Sequence, residues 1–119
     1  MITLANLEVV LRELHYIRDS RKKIFIKEYP AFDCMIKVDF TTKEITYPQG
    51  LDVHRKKICK FSEPENFVVL ECITSLLDKG YKPHHIELEK PMPGGHNDTG
   101  GYCDILVHDN NGKSFLIID

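Results

Sequence analysis

The spacing of apolar residues predicts one helix followed by a small β-sheet in the first half of the chain. Five apolar residues recur at the spacing of a single helix face: Leu7, Val10, Leu11, Leu14 and Ile17. Three short runs rich in Ile, Val, Phe and Tyr follow, "KIFIKEY", "CMIKVDF" and "KEITYP", with Pro30 and "TTKE" between them. Such runs between turn residues are typical of an antiparallel meander. Residues 1–60 are therefore expected to form a subdomain made of an N-terminal helix and a β-meander.

The second half has a different order of predicted elements. Residues 49–61, "QGLDVHRKKICKF", are polar and basic and are expected to be a connector. A helix is predicted at "SEPENFVVLECITSLLDKG", with Ser62 as N-cap, Glu65 completing a capping box and Gly80 ending the helix. A strand at "HHIELEK", a Gly- and Pro-rich loop and a closing hairpin complete residues 61–119. The fold class is thus α+β, with an α/β core of helix, strand and hairpin in the second half.

Composition narrows the classes of protein that fit. The net charge of −2 excludes a globally basic nucleic-acid binder but leaves local basic patches possible. The four cysteines form no CxxC pair, no Cys/His spacing matches a zinc site, and free thiols in a reducing compartment are expected. No apolar run approaches the roughly 20 residues of a membrane span, and no signal peptide opens the chain. These features predict a cytoplasmic protein without a membrane partner.

The hairpin can be registered from its turn. The dipeptide Asn111-Gly112 is a strong signal for a two-residue type I′ turn. A turn centred there pairs His108 with Phe115 and Leu106 with Ile117, and places Asp104 directly opposite Asp119. Cross-strand partners lie about 4.5–5.5 Å apart at Cβ and share a face of the sheet.

Two carboxylates at that separation repel each other unless a cation compensates them. A hard divalent cation such as Mg²⁺ is the partner that suits paired carboxylates. The alternative is that Asp104 and Asp119 simply end their strands, because aspartate is a common turn residue. A longer turn would also shift the register and place the two acids on different faces.

The string "GGYCDILVHDNNGKSFLIID", preceded by "FSEPENFVVLECITSLLDKGYKPHHIELEK", resembles the PD-(D/E)xK nuclease superfamily. It is similar to the N-terminal nuclease domain of type I restriction enzyme R subunits and of related single-chain restriction–modification proteins. The resemblance covers residues 61–119 well and residues 1–60 only loosely. It implies a restriction-endonuclease-like core that hydrolyses DNA phosphodiesters with Mg²⁺.

The resemblance assigns roles to three acids. Asp104 matches the aspartate of the family motif, although Cys103 stands where Pro or Ala is usual. Asp119 matches the second acid, which is usually Glu, and with Asp104 it would bind the metal. Glu65 corresponds to the acid at the start of the core helix, with Glu71 as the alternative and the capping box as a competing role for Glu65.

The resemblance also implies a Lys two residues after the second acid, and the sequence given stops at Asp119. A fragment that lacks the catalytic Lys is therefore expected, with weak activity or none in isolation. The parent protein would be a type I-like site-specific deoxyribonuclease, fused to or partnered with a DNA adenine methyltransferase and specificity modules. Double-stranded DNA is the implied substrate.

Two basic clusters are candidates for phosphate contacts. In "HRKKICK" these are Arg55, Lys56 and Lys57, which either contact DNA or form a solvated connector. The cluster "RDSRKK" is interpreted as a solvated surface.

The alternative to a nuclease is a non-catalytic DNA-binding or assembly module with the same core.

Overall fold

The computed structural model describes residues 2–19, 21–91, 102–109 and 111, and the backbone of residues 114–118. The elements in chain order are α1 (Leu7–Glu13), β1 (Ile17–Arg18), β2 (Ile24–Tyr29), β3 (Cys34–Asp39), β4 (Glu44–Thr46), β5 (Asp52–Val53), α2 (Glu65–Asp78), β6 (Ile86–Pro91), β7 (Tyr102–His108) and β8 (Ser114–Ile118). Short 3-10 turns occur at Pro30–Phe32, Lys56–Cys59 and Pro83–His85. This mixture of helices and sheets confirms the α+β class.

The first sheet has the order β1-β2-β3-β4 and contains the predicted antiparallel meander as β2, β3 and β4, with the unpredicted β1 at its edge. Its register pairs Phe25 with Val38 and Val38 with Ile45. All three side chains are buried, so they form one apolar stripe across three strands. The stripe belongs to a core that also takes in α1, α2, β6 and β7.

Helix α1 is shorter than its apolar spacing predicts. It ends at Glu13, and His15 two residues later has φ 69°. That left-handed backbone is disfavoured for residues other than glycine and turns the chain out of the helix. Ile17 therefore lies in β1 with a 77% exposed side chain, and its assignment to the helical face is wrong.

The second sheet has the order β5-β6-β7-β8, with β5 parallel to β6 and the remaining pairs antiparallel. Strand β5 lies inside residues 49–61, so the expectation of a plain connector is wrong there. Two residues are too few to show a hydrophobic period, which explains why the sequence does not reveal this strand. Through β5, part of residues 1–60 joins the sheet that carries the predicted core.

Helix α2 packs its buried face on both sheets. The most deeply buried residues of α2 are Phe67, Leu70, Ile73, Thr74 and Leu77. The hydroxyl of Tyr16 lies 2.8 Å from Thr74 Oγ1, and Tyr29 Oη donates to Asp78 Oδ1 at 3.0 Å. These bonds connect the first half of the chain to the helix of the second half.

The start of α2 differs from the predicted capping box. Pro64 is the N-cap with helical φ −59° and no side chain caps the helix, so Ser62 lies outside it. The carbonyls of Glu63 and Pro64 accept the first bonds, from Asn66 N and Phe67 N at 3.0 Å each. Proline already has the φ of a helix, and the tight turn that it forms places the start of α2 at Glu65, later than Ser62 as N-cap predicts. Glu65 is therefore not held in a reciprocal cap with Ser62.

The hairpin agrees with its predicted register in the middle of the strands and departs from it near the turn. Leu106 pairs with Ile117, as expected, but His108 pairs with Ser114 instead of Phe115. A bulge between Val107 and His108 accounts for the one-residue shift. Gly112 and Asp119 lie outside the described residues, so the type I′ turn and the facing of Asp104 and Asp119 stay predictions.

Candidate functional site

A cavity of about 260 Å³ lies where the start of α2 meets the 3-10 turn Lys56–Cys59 and strands β6 and β7. We call it the acidic cavity, because four of its lining residues carry carboxylates and only two carry cationic groups. Its lining consists of Arg55, Lys57, Ile58, Glu63, Glu65, Asn66, Val69, Glu89, Tyr102 and Asp104. Two acids singled out in the sequence, Glu65 and Asp104, thus line one cavity although they are far apart along the chain.

Strand register explains how Asp104 reaches this cavity. The pairs Leu88–Ile105 and Lys90–Cys103 bracket one further position, at which Glu89 of β6 stands opposite Asp104 of β7. The sequence predicts a facing acid on the β8 side and does not indicate Glu89. Its place in an alternating "IELEK" pattern predicts solvent exposure, yet its residue is only 6% exposed.

The backbone of Glu89 accounts for that burial. Its φ is 54°, in the left-handed region that side chains other than glycine seldom adopt. The unusual angle interrupts the alternation of β6, so that Glu89 points to the acidic cavity. Lys90, the next residue, instead reaches Glu87, with Nζ 3.2 Å from Oε1. Strained positions of this kind often occur at functional sites.

Arg55 neutralises Glu89. Its Nη2 donates to Glu89 Oε2 at 2.9 Å, and its guanidinium carbon lies 3.5 Å from the centre of the Tyr102 ring. Arginine combines a charge-assisted hydrogen bond with stacking on an aromatic face, as it does here. The Arg55 side chain, predicted to contact DNA, is thus engaged inside the protein.

The other two residues of the predicted basic cluster lie in different places. Lys57 lines the acidic cavity, whereas Lys56 lines a neighbouring groove beside β4 and β5. The buried Asn66 of α2 donates from Nδ2 to the carbonyl oxygens of Lys57 at 2.8 Å and Lys60 at 3.0 Å. These two bonds fasten the 3-10 turn to the helix and so fix where Lys57 stands.

Glu65 is the first residue of α2 and is exposed at the mouth of the acidic cavity. A carboxylate in the first turn is favoured by the helix dipole. Glu71, the alternative named from the sequence, is exposed further along the helix and is not among the residues that line the cavity. The structure thus brings Glu65 close to Asp104 and leaves Glu71 apart.

A second cluster of chemically active side chains surrounds Glu87, which is outside the acidic cavity. We call it the Glu87 cluster, and it consists of Asp52, His54, Glu87, Lys90 and His108. Asp52, His54 and Glu87 each offer one potential metal-binding atom, and these three atoms lie within 4.8 Å of one another. They are the group of three or more potential donors that meets this criterion among the described residues. The carboxylates of the acidic cavity do not meet that criterion by themselves.

The thiols do not contribute a nucleophilic centre. All four cysteines are free, and Cys103 is buried while the others are partly buried. Burial is the largest effect on the Cys59 and Cys72 thiols and raises the pKa of each above its ordinary value. A raised pKa keeps a thiol protonated and unreactive, so packing is the role that these two residues fit.

Comparison with protein-family models, with curated proteins and with solved structures finds no match to this chain. Among the described residues, no helix is both long enough and apolar enough to cross a membrane. The geometry of the acidic cavity and of the Glu87 cluster therefore provides the evidence on function.

Proposed function

We propose that the chain is the DNA endonuclease domain of a restriction–modification protein and hydrolyses phosphodiesters of double-stranded DNA with Mg²⁺. The observation that carries the proposal is that Glu65 and Asp104 line one cavity. The sequence resemblance also assigns these two acids to one site, with Glu71 as the alternative to Glu65. The agreement of a motif with a three-dimensional juxtaposition is stronger support than either gives alone.

The donors of the acidic cavity are carboxylate oxygens, which are the protein ligands that Mg²⁺ prefers. Asp104 and Glu65 would hold the ion, together with water and with Asp119 as the further predicted ligand. When bound, Mg²⁺ polarises the scissile phosphate and lowers the pKa of a coordinated water.

The remaining residues of the cavity would balance charge for an anionic substrate. Lys57 supplies a positive charge on the same wall as the acids, where it would contact a DNA phosphate. Arg55 cancels the charge of Glu89, which reduces the repulsion that four carboxylates would exert on the DNA backbone. Asn66 fixes the turn that carries Lys57.

The proposal is tested by nicking of supercoiled plasmid by the full-length natural polypeptide, with Mg²⁺ or Mn²⁺. Asp104→Asn and Glu65→Gln are expected to lower the rate by about 100-fold or more, because each removes a metal ligand worth several kcal/mol in the transition state. Glu71→Gln is the matched control, since it makes the same change on the same helix outside the cavity. Unchanged cleavage by Asp104→Asn would refute the assignment of the site.

A non-catalytic DNA-binding or assembly module is the second candidate. The Arg55–Glu89 pair favours it, because it shows that a side chain of the protein already compensates part of the acidic charge. This candidate predicts metal-independent DNA binding that survives Asp104→Asn, and no cleavage by the full-length protein with either metal. A methyltransferase and specificity modules would be the partners in both cases.

A further inference from the structure

We propose that Asp52, His54 and Glu87 form a binding site for one Zn²⁺ ion, with His108 as the side chain that orients the Glu87 carboxylate. This site is separate from the acidic cavity and does not depend on the proposed nuclease function. It would connect β5 to β6 at the edge of the second sheet.

Strand pairing brings the three ligands together. Asp52 of β5 is the register partner of Glu87 of β6, in parallel strands. His54 follows two residues after Asp52, and residues two apart along an extended chain point to the same side. His54 N also bonds to Leu88 O at 2.9 Å, which continues the strand pairing to that residue. The ligand atoms of all three side chains lie within 4.8 Å of one another.

Glu87 is held between two imidazoles. His54 Nε2 lies 2.8 Å from Glu87 Oε1, and His108 Nε2 bonds to Oε2, the other oxygen. Both carboxylate oxygens of Glu87 therefore face ring nitrogens.

In the His54–Glu87 contact, a hydrogen bond joins the two atoms that would bind the ion, Nε2 and Oε1. Zn–N and Zn–O bonds of about 2.0–2.2 Å at a tetrahedral angle require about 3.4 Å between the two donor atoms. The observed 2.8 Å would therefore widen by about 0.6 Å, within the reach of side-chain rotation. One imidazole and two carboxylates favour Zn²⁺ over Mg²⁺, which binds oxygen almost exclusively.

His108 fits the role of an outer partner. By bonding to Oε2 it leaves Oε1 directed at His54, and such bonds to metal-binding carboxylates tune both orientation and affinity. Its Nδ1 is buried and has no hydrogen-bond partner among the described residues. Among those residues, no bond to Nδ1 therefore competes with the Glu87 bond for the orientation of the ring. The exposed Asp52 leaves the site open to solvent, where water would supply the fourth ligand.

Lys90 is the competing cation. Its Nζ lies 3.2 Å from Glu87 Oε1, the oxygen assigned to the ion, so that binding requires the ammonium group to move away. Removing this positive charge, as in Lys90→Met, should strengthen Zn²⁺ binding by several-fold. A gain of affinity is a result that a general loss of structure does not produce.

The experiment is isothermal titration of the chain with Zn²⁺, followed by Co²⁺ absorption spectra to report the ligand geometry. One ion per chain is expected, with affinity lowered at least about tenfold by His54→Ala and by Glu87→Gln and raised by Lys90→Met. His85→Ala and Asp104→Asn are the controls, because His84 and His85 form a separate imidazole pair with ring centroids 4.4 Å apart and Asp104 belongs to the acidic cavity. Circular dichroism of each variant checks that the fold is kept.

Three results would each overturn the site. They are the absence of Zn²⁺ binding to the unmodified chain, unchanged affinity in folded His54→Ala, and loss of binding in either control variant. Unchanged nicking in the Asp104→Asn protein would refute the proposed nuclease but leave the Zn²⁺ titration unaffected. The two proposals therefore fail independently.

Discussion

Arg55 and Glu89 form an ion pair of 2.9 Å on the wall of the cavity that also contains Asp104. The pair joins the segment after β5 to the middle of β6, and Tyr102 of β7 covers the guanidinium. Three segments of the second sheet thus meet at one charge-compensated position. The stability of the candidate site should depend on it.

Arg55→Ala is expected to destabilise the protein by about 1–3 kcal/mol, because it leaves the Glu89 carboxylate buried without its cation. Urea unfolding measures the free energy of unfolding. Lys56→Ala is the matched control, since it removes a neighbouring exposed cation and should change stability by less than about 0.5 kcal/mol. Equal effects of the two substitutions would show that the ion pair is not important for stability.

Loss of the hydroxyl should change the stability of the protein differently at two buried tyrosines. Tyr16 Oη bonds to Thr74 Oγ1, so Tyr16→Phe should cost about 1 kcal/mol. Tyr47 Oη is buried with no hydrogen-bond partner among the described residues, so Tyr47→Phe should be neutral or stabilising. Thermal unfolding of both variants tests this, and a clear loss of stability in Tyr47→Phe would contradict it.

Alkaline pH should unfold the chain through its buried phenols. Burial is the largest cause that raises the pKa of Tyr16, Tyr29 and Tyr47 well above 10.0, the ordinary value. Since the folded state holds these protons more tightly, the stabilisation is present below pH 10 and is lost as pH rises above it. Tyrosinate absorbance should therefore show these three phenols ionising together with unfolding, as followed by circular dichroism. Ionisation of all five tyrosines before unfolding would contradict the prediction.

Asn66 should matter for both stability and the position of Lys57. The side chain in Asn66→Asp has the same shape but cannot donate to the carbonyls of Lys57 and Lys60. The substitution should therefore lower the free energy of unfolding by about 1–3 kcal/mol. Urea unfolding measures the cost, with Glu71→Ala on the exposed side of the same helix as control. If the chain binds DNA as proposed, the same variant should also weaken that binding, because it releases the turn that carries Lys57. Unchanged stability and binding would show that the two bonds do not fix the turn.

Much of the fold follows from local signals. The strands of the meander, helix α2, strand β6 and the Leu106–Ile117 pairing are all predicted by apolar spacing and turn residues, and all are present. The predictions that were wrong have physical causes. Ile17 continues a helical spacing that the backbone of His15 ends, and a bulge after Val107 shifts the pairing of His108. Pro64 begins α2 after the position at which a capping box would place it.

The candidate sites divide in the same way. Asp104 can be selected from the sequence by the hairpin register, whereas Glu65 is selected only by the sequence resemblance. Glu89 cannot, because its burial results from one left-handed backbone angle in an otherwise regular strand. The Glu87 cluster cannot either, because its members come from three segments that are joined only by strand pairing.

The sequence by itself determines the class of the fold and the local elements, because helical and strand periods are properties of neighbouring residues. It also selects Asp104 and Asp119 as candidate metal ligands, through the expected hairpin register. Only the tertiary structure decides which charges meet, since the parallel pairing of β5 with β6 and the packing of α2 bring distant segments together. The placing of Glu65 beside Asp104, of Arg55 on Glu89 and of His54 on Glu87 follows from contacts that no local pattern encodes.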